Sequence, residues 1–135
     1  MEENKFNVLL LGVIFDPKTK KILIGKREND PYIPKLTWCF PGCRLKPKED
    51  IEESLKNKLK EKTGYKIKNL GSIFSKIYPE KEDQVGIYFF CEVISGKAKT
   101  GKDFKELKWV APEDLQKHFT TSFHPHLKEY ILNLK

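Results

Sequence analysis

Three charged side chains, at positions 58, 61 and 62, have the spacing that places residues on one face of an α-helix. They are Lys58, Glu61 and Lys62. A carboxylate can ligate a divalent cation, whereas a protonated lysine has no lone pair for a metal and instead neutralises phosphate as a compact charge. One carboxylate between two ammonium groups is a poor Mg²⁺ site, because Mg²⁺ prefers several oxygen ligands. We therefore expect Glu61 to pair with Lys58.

The helix that must carry these side chains begins after Asp50. Asp50 is a suitable N-cap, and Glu53 three residues later completes a capping box. Gly64 suits the left-handed position that ends a helix. The apolar residues that should face the core, each four residues from the next, are Ile51, Leu55 and Leu59. A strand, the Pro41-Gly42 turn, a loop and then this helix have the layout of a site that holds a diphosphate.

The rest of the chain predicts a sheet with helices on both faces, an α/β class of fold. The predicted strands are residues 7–15, 21–26, 36–40, 66–78 with a break at Gly71, 85–94 and 107–110. The predicted helices beyond the first are residues 112–118 and 125–134. The strands at 7–15 and 85–94 are almost continuously apolar, which is typical of strands buried on both faces. The length of 135 residues predicts one domain over residues 1–135.

Composition and charge narrow the choice of partners only slightly. The net charge of +7 suits phosphate-bearing ligands or nucleic acid, but a solvated, lysine-rich surface explains it equally well. No apolar run approaches the length of a membrane span, and the first residues lack the features of a signal peptide. We therefore expect a cytoplasmic protein with no membrane partner, whose three cysteines are free thiols.

Residues 43–65 resemble the signature of the Nudix hydrolases, and we call this stretch the Nudix box. The signature is Gly, five residues, Glu, seven residues, then Arg-Glu-apolar-x-Glu-Glu-x-Gly-apolar. The matching residues are Glu49, Leu59, Glu61, Gly64 and Tyr65. The departures are Cys43 for Gly, Asn57-Lys58 for Arg-Glu, and Lys62 for the last Glu. The lead-in TWCFPG and the later stretches YFFCEV and ELKWVAPEDL also resemble the family, so the likeness covers nearly the whole chain.

The resemblance implies a Nudix-type α/β/α sandwich with a mixed β-sheet. It also implies a nucleotide ligand with a diphosphate, such as a nucleoside triphosphate, ADP-ribose or a nucleotide sugar. If the protein is active, its cofactor is Mg²⁺ or Mn²⁺, held by Glu49 and Glu61, with Glu61 and Asp103 as catalytic groups. The backbone carbonyl near Gly42 is a further candidate ligand. Many Nudix proteins dimerise, so a homodimer is also implied as one arrangement.

A narrower likeness concerns the GDP-mannose mannosyl hydrolase branch of the family. The segments GKRENDP and PGCR are similar to segments of that branch. They imply that Arg27 and Arg44 contact a diphosphate or a sugar, although two solvated arginines near a turn fit as well. The branch has a Gln-His pair where this chain has Asp103 and Phe104, so its catalytic base is missing.

Three hypotheses about function follow. In the first, the protein is a weakened metal-dependent hydrolase. In the second, Lys58 and Lys62 bind substrate phosphates directly, and the site binds its ligand without metal or hydrolysis. In the third, the Nudix fold serves as an RNA- or protein-binding module without catalysis, and exposed Tyr32 and Tyr78 stack on bases.

A cysteine and a pair of histidines are further candidates for catalytic or metal-binding roles, because thiol and imidazole groups commonly serve in them. Cys43 lies beside the helix, but no histidine near it in sequence could activate the thiol. His124 and His126 begin the last helix, and side chains two residues apart on a helix diverge. We therefore expect surface histidines and an unreactive cysteine.

Overall fold

The structure, a computed structural model, describes residues 5–27, 38–101, 104–119 and 124–134. Its strands are β1 (Asn7–Asp16), β2 (Lys21–Lys26), β3 (Trp38–Cys39), β4 (Gly42–Arg44), β5 (Tyr65–Tyr78), β6 (Lys81–Gly96) and β7 (Glu106–Val110). Its helices are α1 (Ile51–Thr63), α2 (Leu115–His118), which follows a 3₁₀ turn at Pro112–Asp114, and α3 (Pro125–Leu132).

A seven-stranded mixed sheet organises the described residues. β1 runs parallel to β6 from Asn7 to Phe15, and β6 forms an antiparallel hairpin with β5. The other edge of β1 is divided between two strands. β4 pairs with Leu9–Leu11, and β2 pairs with Phe15 and Asp16. β2 also pairs with β3 and β7. The parallel β1–β6 pair makes the sheet mixed, as the family resemblance implied.

Helices cover both faces of this sheet, because alternate residues of β1 point to opposite sides. α1 packs on one face, where the buried residues include Leu10, Ile14, Leu55 and Leu59. α3 packs on the other face, where they include Val13, Phe15, Leu127 and Ile131. The predicted α/β/α layering is confirmed. Among the described residues, no helix has both the length and the apolar character that crossing a bilayer requires.

α1 begins and ends where the sequence predicts. The Asp50 carboxylate accepts a 2.9 Å hydrogen bond from the Glu53 amide, and Gly64 has the left-handed backbone with φ of 83°. The predicted apolar face is wrong at its first residue, because Ile51 is 42% exposed. The buried residues of the helix are Leu55, Leu59 and Thr63, so the face in contact with the sheet is shifted one turn toward the C-terminus.

Several predicted boundaries differ from the observed ones. β4 lies in a stretch that the sequence assigned to a turn and loop. β6 begins at Lys81, before the predicted start at residue 85, so the turn between β5 and β6 consists of Pro79 and Glu80. An ion pair of 3.2 Å between Lys81 and Asp83 lies at the start of β6. These differences arise because strand pairing extends ladders into polar residues that show no apolar periodicity.

Candidate functional site between β4 and α1

The Gly42 carbonyl points away from β1. In an antiparallel pair, residues alternate between positions that bond across the ladder and positions that do not. The Gly12 amide donates to the Pro41 carbonyl and the Leu45 amide donates to the Val8 carbonyl, each at 2.8 Å. Gly42 lies opposite Leu11, next to Pro41, which does bond to β1. Gly42 therefore occupies a position that does not bond across the ladder, and its carbonyl points away from β1 toward the other edge of β4.

Only glycine fits at position 42. A Cβ built there would lie 2.4 Å from the Leu10 carbonyl oxygen and 2.7 Å from a Leu11 side-chain carbon. Such separations are far inside normal contact distances, and the first of them is to backbone that cannot move aside. The close packing of β4 on β1 therefore fixes the direction of the Gly42 carbonyl.

Lys62 reaches this carbonyl from α1. Its Nζ donates a 2.6 Å hydrogen bond to the Gly42 oxygen, across 20 residues of sequence. The side chain is half-buried, because its neighbours Leu59 and Thr63 face the sheet. A short hydrogen bond from a cation to a carbonyl is of the stronger, charge-assisted kind.

Lys58 and Glu61 form the expected pair on the outer side of the helix. Their charged atoms are 3.8 Å apart, and their side chains are 42% and 70% exposed. An ion pair with this exposure contributes roughly 0–1 kcal/mol. Glu61 is therefore directed toward solvent and toward Lys58.

One buried thiol lies within the electrostatic influence of Glu49, Lys58 and Lys62. All three charges influence the pKa of Cys43, which is 4% exposed in β4. Burial raises this pKa, and its effect exceeds the lowering by Lys62. The thiol therefore stays neutral, which agrees with the expectation that it is unreactive. Glu49 also accepts a 2.7 Å hydrogen bond from the Lys46 amide, which holds the loop before α1.

The other predicted site residues lie apart from this group. Arg44 is half-buried at the end of β4. Since Cys43 points toward α1, the side chain of Arg44 leaves the strand on the opposite face. Arg27 is half-buried just after β2. Asp103 lies outside the described residues. Two positions before it, a Cβ built on Gly101 would lie 3.0 Å from the Glu61 carbonyl oxygen, so that loop passes the end of α1.

The fold and these residues can now be compared with known proteins. A model of the NUDIX domain matches residues 6–131. The chain belongs to the Nudix family.

Two relatives illustrate the range of Nudix proteins that this chain is similar to. An ADP-ribose pyrophosphatase of Methanocaldococcus jannaschii is 33% identical over 105 residues, which cover 74% of this chain and 60% of that protein. This chain thus spans less than two thirds of that relative's length. An 8-oxo-dGTP diphosphatase of Buchnera aphidicola is 31% identical over 113 residues, which cover 83% of this chain and 82% of that protein.

Solved structures agree on the fold. A Nudix hydrolase from Nitrosomonas europaea matches with a TM-score of 0.78 and 16% identity, covering 97% of this chain and 73% of that chain. A MutT protein from Methanosarcina mazei Go1 matches with a TM-score of 0.74 and 16% identity, covering 99% and 96% of the two chains. At these identities the likeness establishes the Nudix α/β/α sandwich.

The Nudix box, all of which lies within the described residues, does not fit a Mg²⁺ ion. Over these residues, no three His, Cys, Asp or Glu side chains are grouped so that they could hold a metal. The Gly42 carbonyl, a candidate ligand by sequence, accepts a hydrogen bond from Lys62 instead. The metal-binding roles of Glu49 and Glu61 stay predictions.

Two sequence-based expectations about aromatic and histidine side chains are wrong. Tyr78 is not an exposed stacking platform, because it packs partly buried against the core and its hydroxyl donates to that of Tyr88. Tyr32 lies outside the described residues. His124 and His126 do not diverge, since their ring centroids are 5.0 Å apart. His124 precedes α3 in extended backbone, and its Nδ1 accepts from the His126 amide at 3.1 Å.

The Lys62 contact with Gly42 is the feature of the candidate site that sequence reasoning missed. The sequence places Lys62 on the correct helix and beside Glu61, but it gives no distance to β4. The sequence did contain one indication of this contact. Lys62 stands where the Nudix signature has its last Glu, one turn beyond the buried Leu59, so its side chain must lie near the sheet.

Proposed function

We propose that this Nudix protein binds a nucleoside diphosphate derivative beside the Gly42 carbonyl. The ligand classes are nucleoside triphosphates, ADP-ribose and nucleotide sugars. Relatives named as an ADP-ribose pyrophosphatase and an 8-oxo-dGTP diphosphatase support this choice. The observation that carries the proposal is the 2.6 Å hydrogen bond from Lys62 to Gly42, because it holds a positive charge at the edge of β4, where phosphate oxygens require one.

Four cationic side chains are assigned to this ligand. Lys58 and Lys62 neutralise its phosphates as point charges, and Arg27 and Arg44 contact the diphosphate or the sugar through planar guanidinium groups. In the described structure β4 pairs only with β1. A ligand at the other edge of β4 would meet Lys62 from the α1 face and Arg44 from the opposite face.

We propose that hydrolysis of this ligand is weak at most. Splitting a phosphoanhydride requires charge neutralisation, a positioned water and a base, and metal ions commonly supply the first two. Lys58 and Lys62 replace two of the three carboxylates that the Nudix signature places on this helix. Any residual activity is assigned to Glu61 and Asp103, and it is weak because Glu49 and Glu61 alone offer too few oxygen ligands to hold Mg²⁺ or Mn²⁺ firmly.

The first experiment separates binding from hydrolysis. Wild-type protein is incubated with nucleoside triphosphates, ADP-ribose and GDP-sugars, with Mg²⁺ or Mn²⁺, and binding is followed by calorimetry. We expect saturable binding of at least one ligand, with turnover no higher than that of Glu61→Gln. Glu52→Gln, an exposed change of the same type in the first turn of α1, is the matched control.

Two outcomes would contradict the proposal. Turnover lost in Glu61→Gln and retained in Glu52→Gln, at rates typical of efficient enzymes, would show a competent hydrolase. Absence of binding by every ligand class would favour the alternative of an RNA- or protein-binding module. That alternative predicts a salt-sensitive gel shift with RNA, so an RNA gel shift completes the experiment.

A further inference from the structure

We propose that the Lys62 ammonium is a built-in counter-ion that takes the place of a divalent cation, so that the site selects the metal-free form of a diphosphate. The part about the ligand rests on the proposed function. The part about the cation concerns Lys62 and Gly42 alone and can be tested without any nucleotide.

The position of the ammonium supports the replacement. The Gly42 carbonyl is directed away from β1 by the pairing register, and Gly42 cannot be replaced without a clash with Leu10. Nζ of Lys62 lies 2.6 Å from this oxygen. A metal ion that used the same carbonyl would have to displace the ammonium or share the oxygen with it.

Electrostatics opposes that displacement. Lys58 lies one turn before Lys62 on α1, and the Lys62 ammonium already lies at the Gly42 carbonyl, so a divalent cation would enter a region that already holds two ammonium groups. Glu61, which lies between them in sequence, pairs with Lys58 at 3.8 Å. Mg²⁺ gives up its water reluctantly and needs several oxygen ligands in octahedral geometry. Charge repulsion and the shortage of oxygen ligands therefore both disfavour the binding of a divalent cation at this site.

The charges of Lys58 and Lys62 also decide whether the diphosphate binds with or without Mg²⁺. Mg²⁺ bound to a diphosphate neutralises part of its charge and occupies some of its oxygens. Lys62 and Lys58 then gain less from that ligand than from the free anion. Mg²⁺ should therefore compete with this site for the nucleotide, which is the opposite of its effect on an enzyme that binds a metal-nucleotide complex.

The nucleotide experiment measures ADP and ADP-ribose binding by calorimetry, in EDTA and in excess Mg²⁺. We expect several-fold weaker binding in Mg²⁺. Lys62→Gln should weaken binding in EDTA by roughly ten- to a hundredfold, because it removes a charge-assisted contact. Lys60→Gln, at an exposed position of the same helix, should leave the affinity nearly unchanged. Binding that requires Mg²⁺ would overturn the inference and leave the proposed ligand intact.

The metal experiment uses Mn²⁺ alone, with electron paramagnetic resonance to count bound ions. Wild type should show no saturable Mn²⁺ site. Lys62→Glu restores a carboxylate beside Glu61 and frees the Gly42 carbonyl, so it should create one. Lys60→Glu makes the same charge change away from Gly42 and should not. A saturable Mn²⁺ site in wild type, of the same affinity as in Lys62→Glu, would overturn the inference.

The two experiments fail in distinguishable ways. If neither ADP nor ADP-ribose binds under any condition, the proposed function loses its support, while the Mn²⁺ comparison still decides the role of Lys62. Circular dichroism checks that each variant is folded. If Lys62→Glu does not fold, Lys62→Gln takes its place in the Mn²⁺ experiment. It should bind more Mn²⁺ than wild type, and the absence of any increase would overturn the inference.

Discussion

At the scale of single residues, exchanging a carboxylate for an ammonium turns an electron-pair donor into a hydrogen-bond donor. At position 62 this exchange has a specific consequence, because the ammonium finds the Gly42 carbonyl within reach. At position 58 it yields only an exposed ion pair with Glu61. The same chemical change therefore has different effects at two positions one turn apart. The distance to β4 decides between them.

The side chain of Thr63 allows a test at the scale of single residues. Its fully buried hydroxyl donates to the Leu59 carbonyl at 2.6 Å and accepts from the Tyr65 amide at 3.2 Å, which joins the end of α1 to β5. Thr63→Val keeps the shape but removes both hydrogen bonds. It should lower the free energy of unfolding by about 1–3 kcal/mol.

The control for this prediction is Thr63→Ser, which keeps the hydroxyl and loses one methyl group. Its cost should be about 0.8 kcal/mol. Urea unfolding measures both variants. A loss in Thr63→Val equal to or smaller than that in Thr63→Ser would show that the hydroxyl does not hold this junction.

At the scale of elements, capping residues determine where α1 begins and ends, and a neighbouring loop contacts its C-terminal end. Asp50 caps its start, and the amide of Gly64 donates to the Lys60 carbonyl at its end. The loop after β6 contacts that end, where the Lys99 amide donates to the Thr63 carbonyl at 2.9 Å. These hydrogen bonds hold the last turn of the Nudix box helix, which carries Lys62.

Gly64 and Gly71 make a matched pair for a prediction about this helix end. Both have positive φ, of 83° and 117°. A Cβ on Gly64 would lie 2.1 Å from the Lys97 carbonyl oxygen, whereas a Cβ on Gly71 would meet nothing within 4 Å. Gly71→Ala should cost only the backbone strain of a positive φ, about 1–3 kcal/mol. Gly64→Ala should cost clearly more, since it adds a clash with the backbone.

Thermal and urea unfolding compare these two variants. The difference between their unfolding free energies measures the contact between the helix end and the 97–101 loop. Equal losses would mean that the loop moves aside without cost. In that case the end of α1, and Lys62 with it, would be less firmly held than the hydrogen bonds indicate.

At the scale of the whole molecule, the sheet separates two cores with different chemistry. The core under α1 is mainly aliphatic and also contains Phe89 and the thiols of Cys43 and Cys91. The core under α3 is rich in aromatic rings, with Phe40 and Phe74 each packed on Tyr88 with centroids 5.8 Å apart. The second core therefore holds buried phenols as titratable groups, and these make its stability depend on alkaline pH.

Tyr88 gives this dependence a sign and a range. Burial raises the pKa of Tyr88 from 10.0 to about 12, and burial also raises that of Tyr78. A raised pKa means that the folded protein holds a proton that the unfolded chain loses. The stability from Tyr88 is complete below pH 10 and falls as the pH rises toward 12.

Unfolding in urea at several pH values measures this effect. Wild type should lose up to about 1.4 kcal/mol for each pH unit above 10 through Tyr88. Tyr88→Phe should remove that part of the slope, although its lost hydrogen bond lowers stability at every pH. Tyr130→Phe, at a residue that is 39% exposed, is the control. An unchanged slope in Tyr88→Phe would contradict the prediction.

The features that the sequence determined by itself are those that depend on residues close together in the chain. Asp50 and Gly64 act on backbone groups within a few residues, so both ends of α1 were predicted from local chemistry. The strands β1 and β6 were predicted because continuous apolar runs of that length have few alternatives. The spacing of the Nudix box determined which side chains share a helix face, including Lys58 and Glu61.

Only the tertiary structure decided the features that depend on long-range pairing. β4 has three residues and no periodicity, and it is a strand because β1 offers it an edge. The register of that pair turns the Gly42 carbonyl outward and sends Arg44 to the face opposite α1. The packing of α1 then brings Lys62 to that carbonyl. No local pattern encodes such a contact, because it depends on where two separate elements lie in space.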